Sequence, residues 1–457
     1  MLTKYLVRLP LLATVACAAG ASSAYGHPPT PHPQAPPPGG LDITFDVEVG
    51  EPLMLAGKEQ SAYLKITLGG FALPNPGQRP PVNLALVLDR SSSMAGDRLE
   101  KAKEAALMVL ERLQPDDIIS IITYDSGVEV LLPATKASQT GTIRERISAL
   151  RPQGMTALFA GVTHGLEEVG KYLDDKRVNR VILLSDGQAN VGPRSPNELG
   201  RLGAVAGKQG ISITTIGLGL GYNEDLMTQL AMASDGNHGF AESADDLATI
   251  FNHELGDIMS VVARDVEVEI RFAAGITPVR ALGRDATITG RKATLNLSQL
   301  YAKQQKHVLF EVKVPPGSAG KKRELADVAV KYANMISNKK GSKRDAVAIE
   351  FSAARSAVEK RQNRRVIEAA VEAIATDNNR QAVALRDEGK VAEAAKVLQS
   401  NAAYLEQEGQ RLQSTKLKDF GKKNAADASA VQNEAEWTKT RKTMRKDQYQ
   451  ITNQQAW

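Results

Sequence analysis

Four short runs, Leu84–Leu88, Ile118–Thr123, Val181–Leu184 and Ile211–Ile216, are apolar at consecutive positions, and each is too short to be a helix. Strands of this kind have both faces covered, as in a parallel sheet held between two helix layers. The intervening segments agree: Leu99, Ala102, Ala106, Val109 and Leu110 fall on one helical face between Arg98 and Arg112, and Pro115 follows as a stop. Strand and helix alternate, which predicts an α/β doubly wound parallel sheet. In such sheets ligands gather outside the carboxyl ends of strands, where strand order reverses. Asp89 and Asp186 both stand at such ends.

The strand Val82–Asp89 runs straight into Arg90-Ser91-Ser92-Ser93. Along an extended loop Asp89, Ser91 and Ser93 point to one side, and all three offer oxygen, the ligand that a hard divalent cation prefers. Gly154-Met155-Thr156, ahead of a helix, and Ser185-Asp186-Gly187, after a strand, add a hydroxyl and a second carboxylate. Together these segments resemble the von Willebrand factor A family, whose metal-ion-dependent adhesion site follows the pattern Asp-x-Ser-x-Ser, then Thr, then Asp. The likeness extends roughly from Val82 to Val262. It implies Mg²⁺ or Mn²⁺, with Ca²⁺ as a further candidate, held directly by Ser91, Ser93 and Thr156 and directly or through water by Asp89 and Asp186. It also implies a coordination position left for the Asp or Glu carboxylate of a protein partner. Met155 departs from the family, where a second glycine is common at that place.

Two carboxylates roughly neutralise a divalent ion and three hydroxyls add little charge, so such an ion retains affinity for one more anionic oxygen. The expected function is therefore binding, as an adhesion or assembly module, and not catalysis. A rival reading occupies the same residues: Asp89, Ser91, Ser93, Asp97 and Glu100 fall at positions 1, 3, 5, 9 and 12 of a calcium-binding EF-hand loop. Position 6, which needs glycine, is Met94, and a strand rather than a helix precedes Asp89.

On both sides of residues 82–262 the pattern changes to strict alternation. Ala62, Leu64, Ile66 and Leu68 alternate with other residues, as do Val266, Val268, Ile270 and Phe272, then Val308, Phe310, Val312 and Val314, then Val347, Ile349 and Phe351. Residues 41–81 and 263–352 are expected to form one antiparallel β-sandwich that flanks the α/β domain, with two separate β-modules as the alternative. Residues 353–457 read as helical, with helices over Glu359–Ala375 and Val391–Gln410 and a turn at Asp387-Glu388-Gly389-Lys390. That hairpin resembles a tetratricopeptide unit, without a second copy. From Arg411 onward 10 Lys and Arg stand against 5 Asp and Glu. This basic segment, with Trp437, Arg441, Lys442, Arg445 and Lys446, is expected to be a solvated tail, or to touch anionic lipid or an acidic partner.

Charge and targeting narrow the functional classes. From Val82 to Ser260 there are 16 Lys and Arg against 24 Asp and Glu, which favours cation capture and disfavours nucleic acid. Lys4 and Arg8 precede an apolar run from Leu9 to Ala21, so residues 1–26 read as a secretory signal peptide cleaved after Ala24 or Gly26. The expected destination is the periplasm or cell envelope, with secretion or a lipid anchor as variants. The single cysteine, Cys17, lies within this signal, and Thr14-Val15-Ala16-Cys17 resembles a lipoprotein box. Residues 27–40 form a proline-rich spacer.

No later apolar run is long enough to span a bilayer as a helix. The layout resembles bacterial proteins often labelled calcium-activated chloride channel-like, but the chain is not expected to make a pore by itself. Enzyme signatures are incomplete: His253-Glu254-Leu255-Gly256-Asp257 lacks the second histidine of a zinc protease, and there is neither a Gly-x-Ser-x-Gly elbow nor a P-loop. Gly217-Leu218-Gly219-Leu220-Gly221 reads as a tight loop over the sheet. Ser92 and its neighbours have no histidine close in sequence, and His164 and His238 are the candidates to approach them in space. The alternatives are a hydrolase in which Asp89 and Asp186 hold a metal ion and an unassigned base deprotonates its water, and a scaffold that oligomerises through its helical region.

Overall fold

The computed structural model describes residues 40–457 apart from Pro76 and Ala456, so the expected signal peptide, Cys17 and all of the spacer before Gly40 lie outside the described residues. Three strands come first, β1 (Thr44–Val49), β2 (Leu53–Leu55) and β3 (Gln60–Gly69). Next come β4 (Val82–Asp89), α1 (Asp97–Arg112), β5 (Ile118–Tyr124), β6 (Val128–Lys136), α2 (Ile143–Ser148) and α3 (Leu158–Gly170). The α/β part continues through β7 (Val178–Ser185), α4 (Pro196–Lys208), β8 (Ile211–Leu218), α5 (Glu224–Ala233), β9 (His238–Ala241) and α6 (Asp246–Ile258). Strands resume as β10 (Val261–Phe272), β11 (Thr277–Leu282), β12 (Thr287–Thr289), β13 (Lys292–Tyr301), β14 (Gln305–Val314), β15 (Lys322–Asn334) and β16 (Lys339–Ser352). Helices α7 (Arg355–Lys360), α8 (Arg364–Asp387), α9 (Val391–Leu412), α10 (Thr415–Ala430) and α11 (Glu434–Asn453) complete the chain.

The α/β sheet has the order β6-β5-β4-β7-β8-β9, parallel throughout except for the antiparallel edge strand β6. Consecutive apolar residues serve both of its faces. Val82, Leu84, Leu86 and Leu88 pack in a core with α1 and α6, while Ala85 and Val87 pack in another with α3, α4 and α5. The chain runs outward from β4 in one direction through β5 and β6, then returns to β7 on the other side. Strand order thus reverses at β4, and the loops after β4 and β7 are neighbours.

The flanking strands build one sandwich. Its sheets have the orders β1-β3-β14-β11 and β12-β13-β10-β15-β16-β2. They close on a shared core that includes Leu64, Ile66, Val268, Ile270, Phe310 and Val328. Ile66 pairs with Val308 across strands that lie on opposite sides of the α/β domain in sequence, so that domain is inserted into the sandwich. Arg180 of β7 fixes the two parts together. Its buried guanidinium donates to Thr214 Oγ1 (3.2 Å), Gln299 Oε1 (2.8 Å) and Tyr301 Oη (3.0 Å), with Glu254 at 3.6 Å as counter-charge.

Two expectations for the helical region are corrected. The helix predicted from Glu359 begins only at Arg364, because the Asn363 side chain accepts from Val366 N and caps a new helix there, leaving α7 as a separate short piece. The turn at Asp387–Lys390 is present, with Gly389 at φ +81°. Helix α8 lies on the sandwich through Val366, Ala370 and Ala373 against Leu282 and Leu309. The basic C-terminal segment is not a solvated tail: it is α11, which packs on α5, β9 and α8, with Trp437 and Lys442 buried. Arg441 pairs with Glu224, Asp225 and Asp387, Lys442 with Glu224, and Arg445 with Asp225. These charges are neutralised within the chain. Among the described residues no helix is long and apolar enough to cross a membrane.

Candidate metal centre

Asp89 is the last residue of β4 and is fully buried. Its Oδ1 accepts from the backbone N–H of Ser91 (2.8 Å), and its Oδ2 from the hydroxyl of Ser185 at the end of β7 (2.7 Å). Burial pushes the Asp89 carboxyl up to about 6 even though these bonds favour its charged form. The loop beyond Asp89 is held by its neighbours: Arg90 N donates to Tyr124 O, Ser92 N to Gly154 O, and Gln153 N to Arg90 O. Met94, fully buried, anchors the following turn. Ser91 and Ser93 consequently face the same way, with their hydroxyls 3.0 Å apart.

Asp186 follows β7 and is 1% exposed. Its Oδ1 accepts from the Ser93 hydroxyl at 2.6 Å, which joins the two strand ends. Thr156 arrives from the loop before α3. Its N–H donates to Asn190 Oδ1 (2.7 Å), while its carbonyl accepts from Asn190 N and Val191 N. A Cβ on Gly187 would stand 3.5 Å from both Ser93 Oγ and Thr156 Oγ1, so those hydroxyls bound one small space, and glycine keeps it open. Gly154 has φ +69°, and a side chain there would meet Ser126 Oγ at 2.8 Å. Met155 has no such requirement. Its N–H donates to Ser126 Oγ and its side chain is 50% exposed, which explains why a residue other than glycine is accommodated.

All five residues singled out from the sequence, Asp89, Ser91, Ser93, Thr156 and Asp186, therefore converge at the reversal point of the sheet. The donor set is two carboxylates and three hydroxyls, all oxygen, which fits a hard divalent cation. One further observation favours a cation here: Asp89 is fully buried, and its carboxylate meets only the neutral donors Ser91 N and Ser185 Oγ, with no ion-pair partner among the described residues. Among those residues no cluster of three or more His, Cys, Asp or Glu side chains offers a rival site. The EF-hand pattern does not form, because Asp97 and Glu100 belong to α1, and Glu100 turns to Lys103 at 2.8 Å. His164 Nδ1 bonds Ala160 O (3.0 Å) and His238 Nδ1 bonds Thr215 Oγ1 (2.8 Å), and neither ring hydrogen-bonds a serine of this loop. His253 stacks on Trp457, and Glu254 is taken up by Thr214 and Asn237.

Sequence reasoning missed four neighbours. Ser185 and Asn190 orient Asp89 and Thr156, and their only signal is a hydroxyl just before Asp186 and an amide four residues after it. Gln188 donates from Nε2 to Gly221 O (2.8 Å), which brings the glycine loop after β8 to the rim. Arg98, in the first turn of α1, donates from Nη1 to Asp186 Oδ2 at 2.6 Å and to Ser93 O at 3.2 Å. In the sequence it marks only the start of a helix.

Residues 83–253 match the von Willebrand factor type A domain. The order of strands, the reversal at β4 and the five convergent side chains are those that the likeness implied. This segment is a von Willebrand factor type A domain. Among curated proteins, the uncharacterized protein YfbK of Escherichia coli (strain K12) is 28% identical over 229 residues, covering 49% of this chain and 40% of its own length. Protein sll0103 of Synechocystis is 32% identical over 174 residues, 38% of this chain and 41% of its own. Human inter-alpha-trypsin inhibitor heavy chain H3 is 30% identical over 217 residues, 44% of this chain and 23% of its own. The chain thus spans well under half the length of these relatives.

Among solved structures, a von Willebrand factor type A protein from Catenulispora acidiphila superposes with a TM-score of 0.65 at 16% identity, over 82% of this chain and 89% of that one. The ArnB paralog VWA2 from Sulfolobus acidocaldarius gives 0.58 at 20% identity, over 88% and 98%. At these identities the likeness is one of fold, and its extent takes in more than the A domain alone.

Proposed function

We propose that the A domain holds a divalent cation, foremost Mg²⁺ with Mn²⁺ as its substitute, and uses it to bind a protein partner through an Asp or Glu carboxylate. Ser91, Ser93 and Thr156 would ligate directly, and Asp89 and Asp186 directly or through water. The bound ion would supply a positive centre on which an anionic oxygen can settle. What supports this most is the convergence of two buried carboxylates with three hydroxyls at the ligand-binding edge of the sheet.

The protein is proposed to act by binding and not by turnover. The Ser91 and Ser93 hydroxyls bond each other and Asp186, and among the described residues no imidazole hydrogen-bonds either of them. We further propose that it acts outside the cytoplasm, on the strength of the N-terminal sequence. Calorimetric titration of the chain with Mg²⁺ and Mn²⁺ beside a Ser91→Ala, Ser93→Ala double variant is the test. Saturable binding by the wild type alone is expected; equal binding by both proteins, or binding by neither, would contradict the assignment.

A further inference from the structure

Arg98 places a cation at the rim of the five-residue cluster, and most of its hydrogen-bonding capacity is unused. Only Nη1 is engaged, on Asp186 Oδ2 and Ser93 O. Nε and Nη2 have no hydrogen-bond partner among the described residues, and the side chain is 41% exposed. Arg90, on the same loop, is more fully engaged: it gives Nε to Asp125 and Nη1 to Glu129, both at 2.8 Å. Space over Arg98 is kept by Gly219, at φ +70°, where a Cβ would lie 3.3 Å from Nη2. The free Nε–Nη2 edge is the fork that matches the two oxygens of a carboxylate.

The rim is also apolar where it need not be. Of the eight exposed large hydrophobic side chains among the described residues, two belong to the loops that form this cluster. Met155, 50% exposed, immediately precedes Thr156. Leu220, 46% exposed, sits between Gly219, which faces Arg98, and Gly221, where a Cβ would be 2.7 Å from Asp186 O. A positive centre edged by aliphatic side chains is complementary to an acidic group with an aliphatic neighbour, and not to a bare anion.

We propose that Arg98 is a second anchor for the partner's carboxylate and that Met155 and Leu220 seat an aliphatic side chain beside it, so the site selects an acidic residue flanked by an aliphatic one in a protein partner. This rests on the metal-binding reading above. Arg98 acts on the incoming group while also steadying Asp186, so the two roles predict opposite responses to its removal. If it anchors the carboxylate, Arg98→Gln weakens carboxylate binding and leaves Mn²⁺ affinity unchanged or higher, since a competing cation has left Asp186. If it is only structural, Mn²⁺ affinity falls.

The test uses the full chain, Mn²⁺ detected by its electron paramagnetic resonance, and a series of straight-chain carboxylates from acetate to hexanoate as probes. Each variant is first checked for wild-type thermal unfolding. Wild type should bind hexanoate at least tenfold more tightly than acetate, because the added methylenes leave water at the rim. Met155→Ser with Leu220→Ser should flatten that series with acetate unchanged. Arg98→Gln should weaken acetate at least fivefold at undiminished Mn²⁺ affinity, and Arg98→Lys, which keeps charge without the fork, should restore only part. A flat series in the wild type, or acetate binding indifferent to Arg98→Gln, overturns the proposal while leaving the metal site intact. Failure of the wild type to bind Mn²⁺ before any carboxylate is added overturns the metal reading, and this proposal with it.

Discussion

Two polar regions of the A domain, the rim at the ends of β4 and β7 and the flank formed by β9, α5 and α6, are assembled from similar side chains and completed in different ways. On the flank α11 supplies ion-pair and hydrogen-bond partners to many groups, although Tyr222 Oη, His238 Nε2 and Gln448 Nε2 stay buried without one. Arg441 reaches Glu224, Asp225 and Asp387, Lys442 reaches Glu224 and, at 2.7 Å, Tyr222 O, and Tyr449 Oη donates to Gly236 O at 2.6 Å. Gln455 accepts from His238 N (3.1 Å) and donates to His238 O (3.0 Å), and Trp457 Nε1 donates to Asp257 (2.9 Å). On the rim, Arg98 keeps an edge without a partner among the described residues, at a side chain that is 41% exposed. Polar groups closed off inside the chain hold parts together, whereas those left open at a strand-end crevice are available to something from outside.

Substitutions should separate the two regions sharply. Asp186→Asn on the rim is expected to reduce Mn²⁺ affinity at least a hundredfold in a calorimetric titration with cooperative unfolding retained, since the amide keeps the side chain's size and can still accept from Ser93 while the ligand charge is lost. The opposite is expected on the flank. Lys442→Ala removes one of the two cations on the nearly buried carboxylate of Glu224, leaving Arg441, and should cost about 2 kcal/mol in urea unfolding with Mn²⁺ affinity unchanged. Loss of metal binding in that variant would show that the flank governs the rim, and the distinction would fail.

An acid-dependent difference should follow from His238. Burial, helped by Lys442 and Lys446, holds its imidazole neutral down to about 3, whereas the unfolded chain takes up that proton near 6.5. The folded state therefore binds fewer protons than the unfolded state below pH 6.5, and stability falls as pH drops through that window. The loss should approach about 2 kcal/mol at pH 5 and vanish above about pH 7.5. His238→Phe should flatten this slope between pH 7 and 5, measured as unfolding midpoint against pH; an unchanged slope would remove His238 as its cause. The smallest effect belongs to Tyr449→Phe, which deletes one buried bond to Gly236 O and should cost about 1 kcal/mol.

The parts of this fold that could be read from the sequence are those governed by local periodicity. Consecutive apolar residues at Leu84–Leu88 and Val181–Leu184 face two helix layers, and alternation at Leu64, Ile66 and Leu68 faces one core, so strand type and sheet type followed from spacing. The five oxygen donors were legible because each adjoins a strand end or a helix start in a fixed order. What escaped depends on partners distant in sequence. Arg441 and Lys442 looked like a loose basic tail because the acids that neutralise them, Glu224 and Asp225, lie more than two hundred residues earlier. Arg98 looked like an ordinary first-turn helix residue because only the folded sheet brings Asp186 to it. Asn363 was hidden for a different reason: a single capping side chain interrupts a segment whose composition is helical throughout.

The most direct test of the contrast between an open rim and a closed flank is anomalous diffraction from crystals of the protein grown or soaked with Mn²⁺. A single strong peak within ligand distance of Asp89, Ser91, Ser93, Thr156 and Asp186 is the predicted result. A peak at the acidic groups of the flank, beside Glu224 and Asp225, or no peak at the rim at saturating Mn²⁺, would contradict it.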